Sequence, residues 1–182
     1  MRVVSGEYKG RVIKAVKGSQ TRPTTDKVKE SVFHMLGPYF DGGSCLDLFA
    51  GSGSLGIEAL SRGMDKAIFI DKSGQAIKTI KDNLHIIGDD KGTEIYRNDA
   101  FRAIDILAKK QVSFDLVIID PPYDTIDINK LLKKLHEAKI VNKGGLIYAE
   151  YRSKNDLIPL TNWTVIKERK YNETTGMTIF QA

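Results

Sequence analysis

Cysteine is almost missing from this chain, with one residue, Cys45, among 182. A lone thiol makes no internal disulfide and builds no zinc cage. The three histidines, His34, His85 and His136, fall far apart on separate predicted helices, without metal-ligand spacing, so no metal is expected. No apolar run approaches the ~20 residues a membrane span needs, so no membrane partner is expected. The opening MRVVSGEYKG has no apolar core of a signal peptide, which gives a cytoplasmic protein as the expectation. Internal repeats and low-complexity tracts are absent as well. Proline is scarce at five residues, yet two of them, Pro121 and Pro122, stand together.

What remains is the composition of an ordinary soluble domain, 41% hydrophobic and 28% charged. A chain of this length is one main domain by the usual prior and buries a substantial core. Its charge is unevenly placed. Residues 1–30 hold eight basic side chains against three acids, while the remainder is balanced, so the whole net charge of +5 sits in the first sixth. A basic arm on a neutral body points to a polyanionic partner, most simply nucleic acid. Val3, Val4, Val12, Ile13 and Val16 interleave with those charges and predict a structured hairpin of two short strands over residues 2–16. The expected division is a basic arm over 1–20 and a main domain over 21–182.

RPTT at 22–25 precedes a helical pattern in which Val28, Val32, Phe33 and Leu36 share a face, with Thr24 or Thr25 as its cap. From residue 44 strands and helices alternate, ending in three consecutive strands of which the last two form an antiparallel pair. Central strands such as FDLVIID are apolar at successive positions, as strands covered on both faces should be. The expected fold is α/β: a doubly wound, Rossmann-like, seven-stranded, mostly parallel sheet with an antiparallel C-terminal strand. Ligands in such sheets bind at the carboxyl ends of the strands, near the topological switch point.

The candidate chemistry lies at those ends. LDLFAGSGSLG carries Gly51, Gly53 and Gly56 in a G-x-G-x-x-G spacing, a loop that lets backbone approach a ligand and opens a helix N-terminus. Asp71 ends the second strand and suits a ribose diol, as in nicotinamide enzymes. Asp47 lies inside the first strand, where it would repel a pyrophosphate but attract a cationic amino group. S-adenosylmethionine offers an ammonium, a sulfonium and a diol, and no phosphate. Asp99, at the end of the third strand, can accept from an adenine amino group, cap the next helix, or do both.

The fourth strand ends in Asp120-Pro121-Pro122-Tyr123. An exocyclic amino nitrogen on a base has a delocalised lone pair and must be drawn toward tetrahedral geometry before it attacks a methyl group. The Asp120 carboxylate and the Pro121 carbonyl can each accept one of its N–H bonds, and consecutive prolines hold that platform stiff. Tyr123 can stack on an extruded base. Methylation of a pyrimidine ring carbon would need a thiol nucleophile, and Cys45 lies within a predicted core strand. The tetrapeptide by itself serves guanine and adenine alike, so an adenine-N6 methyltransferase of DNA or RNA stays open. So does a nonenzymatic ribosome-assembly factor that retains the fold.

RVVSGEYKGR (2–11), RPTTDKVKESVF (22–33), LDLFAGSGSLGIEALSRG (46–63), NDAF (98–101) and FDLVIIDPPYD (114–124) together resemble the RsmD family, bacterial methyltransferases acting on the 2-amino group of one guanine in 16S ribosomal RNA. The resemblance implies S-adenosyl-L-methionine held by Asp47, Phe49, Gly51, Gly53, Asp71, Lys72, Asp99, Ala100 and Asp120. It implies a guanine positioned by Asp120 through Tyr123, and RNA gripped by Arg2, Lys9, Arg11, Arg22 and Thr24. The implied partner is ribosomal RNA or a 30S assembly particle, met by a monomer. The chain departs from the family at Asp71, where glutamate is frequent, and in its last hairpin, NETTGMTIF.

Overall fold

The computed structural model describes residues 1–17, 25–88, 92–122, 126–152, 157–158, 160–170 and 175–182. Five helices and seven strands follow in the order α1 (Asp26–Leu36), β1 (Ser44–Asp47), α2 (Ser54–Ser61), β2 (Lys66–Asp71), α3 (Gly74–Ile87), β3 (Thr93–Arg97), α4 (Ala100–Lys109), β4 (Phe114–Ile119), α5 (Ile128–Ala138), β5 (Val141–Arg152), β6 (Thr164–Lys170) and β7 (Thr175–Gln181). One sheet takes the strand order β3-β2-β1-β4-β5-β7-β6. The first five strands are parallel and β7 runs antiparallel to both β5 and β6. The expected doubly wound architecture is therefore present. β7 inserts between β5 and β6, which leaves β6 on the edge with all seven residues exposed.

Alternation of side chains across the strands divides the core in two. Cys45, Leu116, Ile118, Met177 and Ile179 face α1, α2 and α3, whereas Leu46, Val117, Ile119, Ile147 and Phe180 face α4 and α5. Cys45 is fully buried among the first group, and that burial pushes its thiol pKa well up, as befits a packing residue. Among the described residues no helix is long and apolar enough to cross a membrane, and no cluster of His, Cys, Asp or Glu could hold a metal ion.

The N-terminal segment differs from the two strands expected. Residues 1–3 and 10–13 do pair, through Val3 N to Arg11 O, Gly10 N to Val3 O and Ile13 N to Met1 O, but only the Arg2–Val12 bridge forms. The backbone between them is drawn onto α2: the Val4 and Ser5 amides donate to Glu58, and the Glu7 amide donates to Ser61 O. Val3 and Ile13 are buried in the same core as α1, α2 and α3. This segment packs as part of the domain's own core.

On α1 the buried face is Lys29, Val32, Phe33 and Leu36, with Val28 only half-buried. Thr25 caps the helix through Val28 N at 3.3 Å. The lysine takes the position expected for the valine because an acid waits beneath it. Lys29 Nζ lies 3.3 Å from Glu58 Oε2, and Arg62 Nε lies 2.8 Å from Glu58 Oε1. Lys29 also donates to Arg2 O at 2.7 Å and to Ser54 Oγ at 3.2 Å, while Arg62 donates to Pro38 O and lies over the Phe33 ring. Burial depresses the Lys29 pKa, and Glu58 opposes that effect.

Candidate active site

β1 is the strand at which the chain reverses direction across the sheet, with β2 and β3 on one side and β4 and β5 on the other. Its last residue, Asp47, stands in register with Phe69 of β2 and Ile118 of β4. Asp71 lies two residues beyond Phe69 and Asp120 two beyond Ile118. With strands ~4.8 Å apart, those acids flank the segment after β1 at a separation on the order of 10 Å. That segment is held on both sides, by Leu48 N to Ile118 O at 3.1 Å and Ala50 N to Ile70 O at 2.9 Å.

The glycines after β1 serve different ends. Gly51 has a φ of 54°, and a Cβ built there would meet nothing within 4 Å, so the loop presents bare backbone to open space. A Cβ on Gly56 would instead lie 2.4 Å from Phe69 Cε1. Gly56 is needed to seat α2 on β2.

Asp47 is 1% exposed. Its Oδ2 accepts the Gly56 amide at 3.1 Å, while its Oδ1 is buried and makes no hydrogen bond. Burial, opposed by the Gly56 and Phe49 amides and reinforced by the negative charge of Asp71, raises its pKa to about 7. A buried carboxyl with an orphaned oxygen is costly unless a cation or donor completes it.

Asp71 is half-buried and already engaged. Its Oδ2 accepts the Gly51 amide at 2.9 Å and its Oδ1 accepts the Ser73 amide at 2.8 Å, which leaves one lone pair on each oxygen for a further donor. Lys72 follows on the surface, its carbonyl taken by Arg97 Nε at 3.1 Å. Asp99 caps α4, its Oδ1 accepting from Phe101 N at 2.9 Å and Arg102 N at 3.3 Å. The cap role read as one of two for Asp99 is thus occupied on one oxygen, and Ala100 beside it is buried. A groove of about 150 Å³ between α4 and the β2–β3 face opens beside Asn98. Asp120 and Pro122 are half-buried at the end of β4, and Pro121 is buried. Tyr123, Arg22 and Thr24 lie outside the described residues.

A family model described as Conserved hypothetical protein 95 matches residues 1–181. The Bacillus subtilis protein named "Putative rRNA methyltransferase YlbH" is 50% identical over 178 residues, covering 98% of this chain and 95% of that protein. The Haemophilus influenzae protein named "Ribosomal RNA small subunit methyltransferase D" is 34% identical over 184 residues, covering 100% of this chain and 92% of that one. This chain belongs to the ribosomal RNA small subunit methyltransferase D family. A solved Escherichia coli structure described as "Putative methyltransferase yhhF" superposes with a TM-score of 0.84 at 29% identity, covering 100% of this chain and 97% of that chain. The RsmD resemblance drawn from the motifs is this same family.

Within that family frame, Arg2 and Arg11, expected to meet RNA, have intramolecular partners, as do Lys14 and Lys29 among the first thirty residues. Arg2 pairs with Asp26 at 2.8 Å, and Arg11 donates to the Ile86 and Ile87 carbonyls at the C-terminus of α3. Lys14 pairs with Asp82 at 3.0 Å, and Lys29 is fully buried against Glu58. Lys9 is exposed. These partners arise because the segment lies down on α1, α2 and α3 rather than projecting from them. The residue that sequence reasoning passed over is Asn83, which is fully buried. Its Nδ2 donates to Ser52 O at 2.8 Å and to Lys14 O at 3.0 Å, and its Oδ1 accepts Lys14 N at 2.7 Å. Asn83 therefore ties the N-terminal segment to the glycine loop. The available signal was a polar residue between Ile80 and Leu84 on the buried face of α3, with Glu58 in the apolar α2 as its counterpart.

Proposed function

We propose that this chain transfers a methyl group from S-adenosyl-L-methionine to the exocyclic 2-amino group of a guanine in small-subunit ribosomal RNA. The observation that carries the reading is the placement on adjacent strands of a buried acid with an orphaned oxygen, Asp47, and an Asp-Pro-Pro platform that begins two residues beyond its partner Ile118. The residues fit that cofactor. Asp47 Oδ1 can take its ammonium, the remaining lone pairs of Asp71 can take ribose hydroxyls, and the Gly51 backbone permits close approach. Asp47 beside the loop disfavours a pyrophosphate, and with it a nicotinamide oxidoreductase, whereas Asp71 suits the ribose of either cofactor.

When bound, S-adenosyl-L-methionine supplies the electrophilic methyl group. The chain's own part is orientation. Asp120 and the Pro121 carbonyl accept the two N–H bonds of the target amine and turn its lone pair out of conjugation, and the prolines keep those acceptors fixed. Tyr123 stacks on the extruded base. No strong general base is required, because the methylated amine sheds its proton readily. The relatives' names support ribosomal RNA as the substrate class; the choice of guanine rests on the family motifs.

The test is incubation with methyl-labelled cofactor and, separately, a 16S rRNA transcript, 30S particles lacking the modification, and duplex DNA. Digestion to nucleosides with mass detection should find N2-methylguanosine from one of the RNA substrates. Label in adenine of DNA alone, or no transfer from a cofactor that binds, would sink the reading.

A further inference from the structure

We propose that β6 and the adjoining face of α1 form a cationic shelf that seats the phosphodiester backbone of the RNA beside its target base. The inference rests on the ribosomal RNA reading above.

β6 is an edge strand with every residue exposed, and its sequence is TVIKERK. Opposed residues of an antiparallel pair share a face. Lys167 and Arg169 stand opposite Ile179 and Met177, so both lie on the side occupied by α1. Arg169 Nη1 donates to Ser31 Oγ of α1 at 3.2 Å, which lays the guanidinium across the gap between strand and helix. Lys27 is exposed one turn earlier on α1. The acid within the strand, Glu168, belongs to the opposite face, where its Oε1 meets the Tyr151 hydroxyl.

Register places this shelf at the level of the platform. Ile119 pairs with Ala149, so Asp120 stands level with Glu150, which pairs with Met177, which pairs with Arg169. Three strand spacings of ~4.8 Å put Arg169 about 14 Å from Asp120. That reach is on the order of four nucleotides at 3.4 Å of rise per strand. Glu150 lies between them, its Oε2 taken by the Tyr148 hydroxyl. Edge lysines also discourage strand-to-strand aggregation. That role needs no second cation tied down over a helix at the height of the catalytic platform.

The experiment compares wild type with the double variant Lys167→Ala, Arg169→Ala and with a charge-matched control, Lys130→Ala, Lys133→Ala. Binding to a 16S rRNA transcript and to 30S particles lacking the modification is titrated over a range of salt. The β6 variant should bind at least tenfold more weakly, with a log K against log salt slope shallower by about 1.4, since each of two lost contacts to a single strand removes ~0.7. Its cofactor affinity and melting temperature should equal those of wild type, and the control should bind as wild type does. Undiminished binding by the β6 variant, or equal loss in the control, overturns the shelf. A wild-type dimer by light scattering that the β6 variant abolishes also overturns it, because the edge would then pair with a second copy. If wild type neither binds nor methylates either RNA substrate, the functional reading fails first and takes the shelf with it.

Discussion

The Asp71 carboxylate accepts the Gly51 amide proton at 2.9 Å, joining the acid that ends β2 to the glycine that opens the loop after β1. The two are separated by twenty residues and become one unit only because β1 and β2 are neighbours in the sheet. Asp71 thus has two tasks, shaping the loop and offering its outer lone pairs. Asp71→Ala should weaken cofactor binding by tenfold or more, since a hydrogen bond to a charged group is worth ~1.5–3 kcal/mol. Isothermal titration calorimetry reads this directly. An affinity within twofold of wild type would remove Asp71 from the site.

Asp47 gives a pH signature. Its pKa is raised from 3.8 to about 7 by burial, so the fold tolerates its neutral form and resists its ionised one. The unfolded chain loses that proton near pH 4, and the folded chain keeps it until about pH 7. This group's contribution to stability is therefore fully present below pH 4, declines between about 4 and 7, and is constant above. Asp47→Asn should gain stability relative to wild type by a few kcal/mol, to order of magnitude, on going from pH 5 to pH 8. Denaturant melts of both proteins at the two pH values check the sign. A difference that does not change with pH would mean the carboxyl is ionised throughout.

Glu58 holds two cations and two backbone amides at once. Removing one member of a buried ion cluster leaves uncompensated charge, at a cost of about 3–5 kcal/mol. Glu58→Ala should therefore lose about that much stability and expose the Val4 and Ser5 amides to hydrogen exchange. Lys29→Met should lose less, because Glu58 keeps Arg62 and both amides. Equal losses in the two variants would contradict the arrangement.

Asp120→Ala separates orientation from binding. Loss of one of two acceptors that arrange the amine should lower kcat by a hundredfold or more, the scale seen when a preorganised electrostatic group is removed. Cofactor affinity should stay within a few-fold of wild type. A parallel collapse of both would mean that Asp120 serves the cofactor.

The five parallel strands and the helices between them were readable from the chain because their apolar patterns have the right periods and their ends carry Gly, Asp and Ser signals. α3, for example, begins after the Ser73 cap and ends on Gly88 in the left-handed region. The positions of Asp71, Asp99 and Asp120 at strand ends followed from the same rhythm, whereas Asp47, read as lying inside the first strand, is its last residue. Lys29 illustrates the boundary. Periodicity favours Val28 as the inward residue, and a lysine enters the core only where a distant acid neutralises it. A count of basic residues likewise does not say which of them meet Asp26, Asp82 or a helix C-terminus.

By itself, then, the sequence determined the fold class, the family and the strand-end acids, because these depend on local spacing and short motifs. Tertiary structure decided what each charged side chain does. It brought Asn83 to Ser52 and Lys14, buried Lys29 on Glu58, left Asp47 Oδ1 without a partner, and set Arg169 level with Asp120. Those outcomes depend on strand order and on which helix covers which face, and so on contacts between residues far apart in the chain that no local pattern encodes.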